Sequence, residues 1–203
     1  SAASDVYKRQ IVKMTELDLK TIDAIAVAKG PGSFTGLRIG SATAKGLGLA
    51  LDKPLVGIPT VEALAYNLYD VNGLICPIMD ARRKQVYTGI YRYEDHRLMT
   101  VKDQMAVGIE EFLSMLNEMG ETVTFLGDGV PVFKDIIADK LEVPFSFAPS
   151  HLSRQRAGAV GALGILYYKE GRTETAAEHK PDYLRVSQAE RERAQRLKKE
   201  SEG

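Results

Sequence analysis

A chain of 203 residues, 44% hydrophobic and 27% charged, has enough apolar material to build a core and is excluded from the wholly disordered class. Lys and Arg total 27, as do Asp and Glu, so the net charge is zero and the chain is not built to grip nucleic acid mainly through phosphates. A single cysteine, Cys76 in an apolar run, excludes an internal disulfide and a cysteine-based zinc cluster and reads as a buried small hydrophobe. No apolar stretch approaches the ~20 residues of a membrane span and no signal-peptide pattern opens the chain, which reads as cytoplasmic.

The first ten residues, Ser1–Gln10, form a polar leader without a starting Met, followed at once by Ile11-Val12-Lys13-Met14. Ile11–Leu19 reads as the last turns of a helix whose beginning is missing. The expectation is a truncated chain with an unrelated leader, a natural flexible N-terminus being the other reading. Ile22–Ala28 reads as a short buried strand running into Gly30-Pro31-Gly32. A helix from Ser33 or Phe34 to Leu51 follows, closed by Asp52-Lys53-Pro54, then a strand over Leu55–Ile58. The next helix is predicted to about Tyr69, with Thr60 as N-cap. Strand–helix–strand–helix implies parallel pairing.

Three strands joined by short polar turns come next: Leu74–Met79, Gln85–Tyr93 and Arg97–Val107. Predicted after them are a helix over Ile109–Met119, a strand over Val123–Leu126 ending at Gly127-Asp128-Gly129, and a helix over Val130–Lys140. An extended Val143–Ala148 and a helix over Ser153–Glu170 complete the series. This is the element order of an RNase H-like lobe, and Ile11–Tyr69 repeats its back half. The alternating charges of Ser187–Gly203 read as a solvated helix with a frayed end.

Lys29 to Gly40 (KGPGSFTGLRIG) is the most informative stretch. A glycine loop between strand and helix offers backbone N–H groups to an anion. The spacing opposes that use. Gly36 is followed by Leu37-Arg38 where a P-loop needs Lys and Ser or Thr. A dinucleotide loop needs its third glycine three residues after the second, and Gly36 comes four after Gly32. Gly32, Gly36, Gly40, Ala44 and Gly48 instead recur at every fourth position and stack along one helix face. Each interior glycine costs about 1 kcal/mol relative to Ala, which is tolerated where another backbone approaches closely. That backbone belongs to the chain's own sheet or to a helix of another protein, and both readings stay open.

Lys29–Gly40 closely resembles the signature of the TsaB family, also called YeaZ, of bacterial tRNA threonylcarbamoyladenosine modification. Ile58–Ala65 (IPTVEALA), Pro77–Tyr87 (PIMDARRKQVY) and Pro181–Glu190 (PDYLRVSQAE) agree with it. The resemblance implies an actin-like, RNase H-like α/β fold of two similar lobes, the first here lacking its opening strands. Residues 11–65 would be the remainder of the first lobe, containing a dimerisation helix over 34–51. Residues 66–184 would be the second lobe, and 185–203 a charged helix or tail.

The resemblance further implies a non-catalytic scaffold that dimerises with a TsaD-type enzyme, which a TsaE-type ATPase joins. The enzyme moves a threonylcarbamoyl group onto the adenosine beside the anticodon of tRNAs reading ANN codons. Pairing with itself through a similar surface, and contact with tRNA only through the complex, belong to the same expectation. The residues expected at the partner are Gly36, Leu37, Arg38, Gly40, Ser41, Ala44 and Gly48, with Arg38 pairing an acid across the interface. Gly30, Pro31 and Gly32 would form the loop, and Ser33 and Thr35 would cap the helix.

A non-catalytic role agrees with other residues. His96, His151 and His179 are far apart in sequence and none stands at i, i+4 from another, so they read as surface histidines and no metal is expected. The turn Asp80-Ala81-Arg82-Arg83-Lys84-Gln85 has no glycine to let a nucleotide phosphate near the backbone. Asp80 reads as a hairpin-turn residue and Arg82 and Arg83 as solvated, with a tRNA phosphate contact as the alternative. Ser33 has no identifiable base, and no Gly-x-Ser-x-Gly elbow occurs. No cofactor is expected. The alternatives are a nucleotide-dependent enzyme of the actin-like ATPase superfamily and a self-dimerising fragment without a partner.

Overall fold

The computed structural model describes residues 2–184, with side chains from Lys8 onward. The charged tail, and the last six residues of the Pro181–Glu190 stretch, lie outside the described residues. Helix α1 (Ala2–Met14) runs unbroken through the leader and stops short of Leu19, because Glu16 turns to a left-handed φ of 52°. A short 3-10 turn, Leu19–Thr21, leads into the first sheet.

That sheet is a parallel pair, β1 (Ile25–Gly30) and β2 (Leu55–Pro59), joined by α2 (Phe34–Leu51). The strands are short and rich in Ala and branched residues, which suits a sheet covered by helices. The Ser33 hydroxyl accepts the Gly36 N–H at 3.4 Å and starts α2 where the sequence places it. Asp52, with φ of 51°, ends the helix by returning its N–H to the Gly48 carbonyl. Helix α3 (Thr60–Ala65) differs from expectation at both ends. Pro59 is its N-cap and Thr60 its first residue. The helix stops at Ala65 because Asn67 turns away to donate to the Leu152 and Arg154 carbonyls.

The second sheet has five strands: β3 (Leu74–Asp80), β4 (Gln85–Glu94), β5 (Arg97–Gly108), β6 (Val123–Leu126) and β7 (Phe145–Phe147), in the order β5-β4-β3-β6-β7. The first three form an antiparallel meander, while β3, β6 and β7 run parallel. Helices α4 (Ile109–Met119) and α5 (Val130–Lys140) make the crossovers. Alternation along β3 serves two cores. Leu74, Cys76 and Ile78 pack with Phe112, Leu116 and Phe133. Ile75 and Met79 pack on the other face with Val61, Leu64 and Leu68.

Helix α6 (Ala157–Lys169) begins later than Ser153, whose carbonyl and hydroxyl are both engaged by the Gly127 N–H. It returns to the first sheet, where Leu163 and Tyr167 pack with Val56, Ile58 and Ala63. The chain then straps back. Glu174 exchanges two backbone hydrogen bonds with Leu55, at 2.8 and 2.9 Å, and the Asp182 N–H donates to the Lys29 carbonyl. The Gln104 amide of β5 donates to the Asp182 carboxylate at 3.3 Å, so the strap ties both sheets together. No helix among the described residues is long and apolar enough to cross a membrane.

Candidate docking surface at the glycine loop

The glycine loop is shaped by the strap. Gly30 has φ of 123°, and the Asp182 carbonyl fills the place a Cβ would take, so only glycine fits there. Lys29 also pairs with Asp182, Nζ to carboxylate at 3.6 Å. Tyr183 stacks on Phe34, centroids 4.9 Å apart, and the Arg38 guanidinium lies 4.2 Å from the centre of the Phe34 ring. Pro31 is buried beside this contact. Ser33 alone has the cap geometry; Thr35 lies inside the first turn and is exposed.

The small residues of α2 do not share one face. At 3.6 residues per turn a repeat of four drifts around the helix. Leu37, Ser41, Ala44 and Gly48 turn inward and are buried against the chain's own body. A Cβ at Gly48 would stand 2.5 Å from the Leu55 side chain and 3.0 Å from the Lys53 carbonyl. These four of the seven expected partner residues therefore pack on the chain's own body: Leu37 against Gly30 and Gly32, Ser41 on His179 of the strap, and Ala44 and Gly48 on Leu55 and Ala176. Gly36 and Gly40 look sideways into a groove, and Arg38 remains exposed over Phe34. The outward stripe is a different set: Ile39, Ala42, Gly46 and Leu49, all exposed. Sequence reasoning missed it because both stripes are small and apolar at helical spacing.

His179 is not a surface histidine. It is 1% exposed, with Nε2 3.0 Å from the Ser41 hydroxyl and Nδ1 2.7 Å from the Glu174 carboxylate. Lys45 donates to the His179 carbonyl at 3.0 Å. The order Ser–His–Glu resembles a hydrolase relay, but Ser41 lies mid-helix, is buried, and faces the chain's own interior. It is a clamp between strap and α2. The other two histidines are exposed, His96 bonded to Asp70 at 2.8 Å. Among the described residues no group of three His, Cys, Asp or Glu is placed to hold a metal.

The remaining sequence candidates lie in turns. The Asp80 carboxylate accepts the Arg82 N–H at 2.8 Å and pairs with its guanidinium at 3.2 Å, closing the turn. Arg82, Arg83 and Lys84 are exposed and all have positive φ. The Gly127–Gly129 turn packs on β3, the Gly129 N–H donating to the Ile78 carbonyl at 2.9 Å. Cys76 is fully buried, and burial pushes its thiol far above the usual range, so it is no nucleophile.

Comparison with known proteins places this architecture. A family model described as TsaD, tRNA N6-adenosine threonylcarbamoyltransferase, matches residues 6–193. The Bacillus subtilis (strain 168) protein named tRNA threonylcarbamoyladenosine biosynthesis protein TsaB is 39% identical over 169 residues, 83% of this chain and 72% of the relative. The Escherichia coli (strain K12) protein of the same name is 28% identical over 181 residues, 87% of this chain and 77% of the relative. The solved structure of YeaZ from Pseudomonas aeruginosa superposes with a TM-score of 0.71 at 22% identity, covering 87% of this chain and 80% of that one.

The fold is therefore the actin-like, RNase H-like α/β fold that the element order implied. Within it, the chain belongs to the TsaB family, also called YeaZ.

Proposed function

We propose that this chain serves tRNA threonylcarbamoyladenosine biosynthesis as a scaffold without catalytic residues of its own, docking on a TsaD-type enzyme through the outer face of α2. The relatives' shared name supports the process. The observation that carries the docking face is its composition: Ile39 is 42% and Leu49 74% exposed, with only Ala42 and Gly46 between them. An apolar stripe with small residues lets a second helix approach closely while covering surface that water hydrates poorly. Arg38, held by Phe34 at the rim, is free to meet an acid of the partner. A TsaE-type ATPase joins the pair in the cytoplasm, tRNA meets the assembly through the enzyme, and self-pairing uses the same stripe.

The test is light scattering after gel filtration of the chain mixed with a TsaD-type enzyme. A one-to-one complex is expected. The double variant Ile39→Glu/Leu49→Glu should weaken it at least tenfold, about 1.4 kcal/mol, with unchanged circular dichroism because both residues are exposed. Unchanged affinity removes the docking face; no complex with the parent chain removes the scaffold reading.

A further inference from the structure

Helix α2 carries two charged side chains, Arg38 and Lys45, both positive. The strap reaches each of them. Lys45 is half-buried and donates from Nζ to the His179 carbonyl at 3.0 Å, so its charge is drawn in against the strap. His179 is fixed in turn by the Ser41 hydroxyl and the Glu174 carboxylate. Arg38 is exposed, lies one turn before Ala42 of the outward stripe, and makes no ion pair among the described residues.

What holds Arg38 is aromatic. Phe34 stands four residues earlier on the same helix face, and the guanidinium lies 4.2 Å from its ring centre. Tyr183 of the strap stacks on that ring, centroids 4.9 Å apart. Tyr183 follows a firmly tied residue. The Asp182 N–H donates to the Lys29 carbonyl, and its carboxylate meets Lys29 Nζ at 3.6 Å and the Gln104 amide at 3.3 Å. The Asp182 carbonyl occupies the space that Gly30 leaves open.

An arginine side chain has many rotamers, and ordering it on binding opposes association. A guanidinium already laid on a ring loses less of that freedom, while its N–H groups stay available to a carboxylate. Helix α2 of a second copy carries no acid to receive them, so the arrangement suits a partner surface that does.

We propose that the strap sets the charge α2 offers to a docking partner. Tyr183, through Phe34, holds Arg38 beside the apolar stripe for a carboxylate of the partner, while the His179 carbonyl withdraws Lys45. The inference rests on docking through the outer face of α2 and names the determinant of specificity there. Tyr183 is a positioning residue, acting on the partner only through Phe34 and Arg38.

The probe is a TsaD-type enzyme, titrated against the full chain and its variants at about 50 mM and about 500 mM salt. Arg38→Ala should weaken the complex by about tenfold and flatten its salt dependence, whereas Lys45→Ala should stay within about twofold of the parent. Tyr183→Ala should weaken it by about fivefold, and Tyr183→Phe, which keeps the ring, should bind as the parent does. In the Arg38→Ala background, Tyr183→Ala should cost nothing further. Tyr183 is 42% exposed, so its truncation leaves the core intact. Phe34→Leu, which removes the ring from under the guanidinium, should match Tyr183→Ala.

Equal losses from Tyr183→Ala with and without Arg38 would make Tyr183 a mere fastening of the strap and overturn the proposal. So would a loss at Lys45 as large as that at Arg38. A complex that Ile39→Glu/Leu49→Glu weakens but Arg38→Ala does not also overturns it, and leaves the docking face standing. A complex indifferent to the stripe variant, or no complex at all, removes the docking face and this inference together.

Discussion

β1 and β6 occupy the same place in a repeated unit, yet one is half-exposed and the other sealed. Both are short strands that run into glycines, with larger side chains in β6, VTFL, than in β1, IAVAKG. The neighbours separate them further: β6 is bonded on two edges and covered by Phe112 and Phe133, whereas β1 is bonded on one. A strand's contribution to stability is thus set by what lies beside it. Truncation states this most strongly. Phe125→Ala in β6 should cost about 3–5 kcal/mol, since the ring is fully buried. Val27→Ala in β1 should cost about 1 kcal/mol or less. Urea denaturation measures both, and similar losses would erase the contrast between the sheets.

The same contrast can be sharpened within one helix. Gly46 and Gly48 are two residues apart on α2, one exposed and open, the other against Leu55 and the Lys53 carbonyl. Gly48→Ala should destabilise by about 1–3 kcal/mol through overpacking. Gly46→Ala should stabilise by up to about 1 kcal/mol, because a helical glycine is replaced where nothing obstructs the methyl group. Opposite signs in thermal melts would establish which face of α2 belongs to the chain's own interior. Equal signs would mean that this face is wrongly assigned.

How far the sequence discloses the molecule follows the range of each interaction. Helix Ile109–Met119, strand Val123–Leu126 and helix Val130–Lys140 stand in the structure with the bounds read from the sequence. Gly108, Gly120 and the Gly127–Gly129 turn punctuate them locally. Distant contacts were not legible. His179 meets Ser41 across 138 positions, and no local pattern announces a buried histidine in EHKPDY. The inward face of α2 is chosen by Leu55 and Ala176, which helical periodicity cannot name. The left-handed run Arg82–Lys84 contains no glycine. It is held from outside, by the Asp80 carboxylate, the Ala81–Gln85 backbone bond and the Ile109 N–H on the Lys84 carbonyl.

The smallest expected effect compares two carboxylates whose surroundings act in opposite directions. Glu62 sits where α3 meets α6; burial raises its pKa, only partly offset by the Tyr167 hydroxyl donating at 2.6 Å and by Arg172 and Lys29. Glu178, on the exposed strap, is lowered because the Thr175 N–H and hydroxyl both donate to it, at 2.9 and 2.8 Å. For Glu62 the folded state holds its proton more tightly than the unfolded one, so stability falls as pH rises from the ordinary carboxylate value through the raised one. For Glu178 the stabilisation is complete above the ordinary value and is lost as pH falls through the lowered one. Glu62→Gln should therefore remove a decline on the high side of the carboxylate range, and Glu178→Gln a decline on the low side. Denaturation midpoints followed across that range separate the two, because a shared cause, such as net charge, would move both variants the same way.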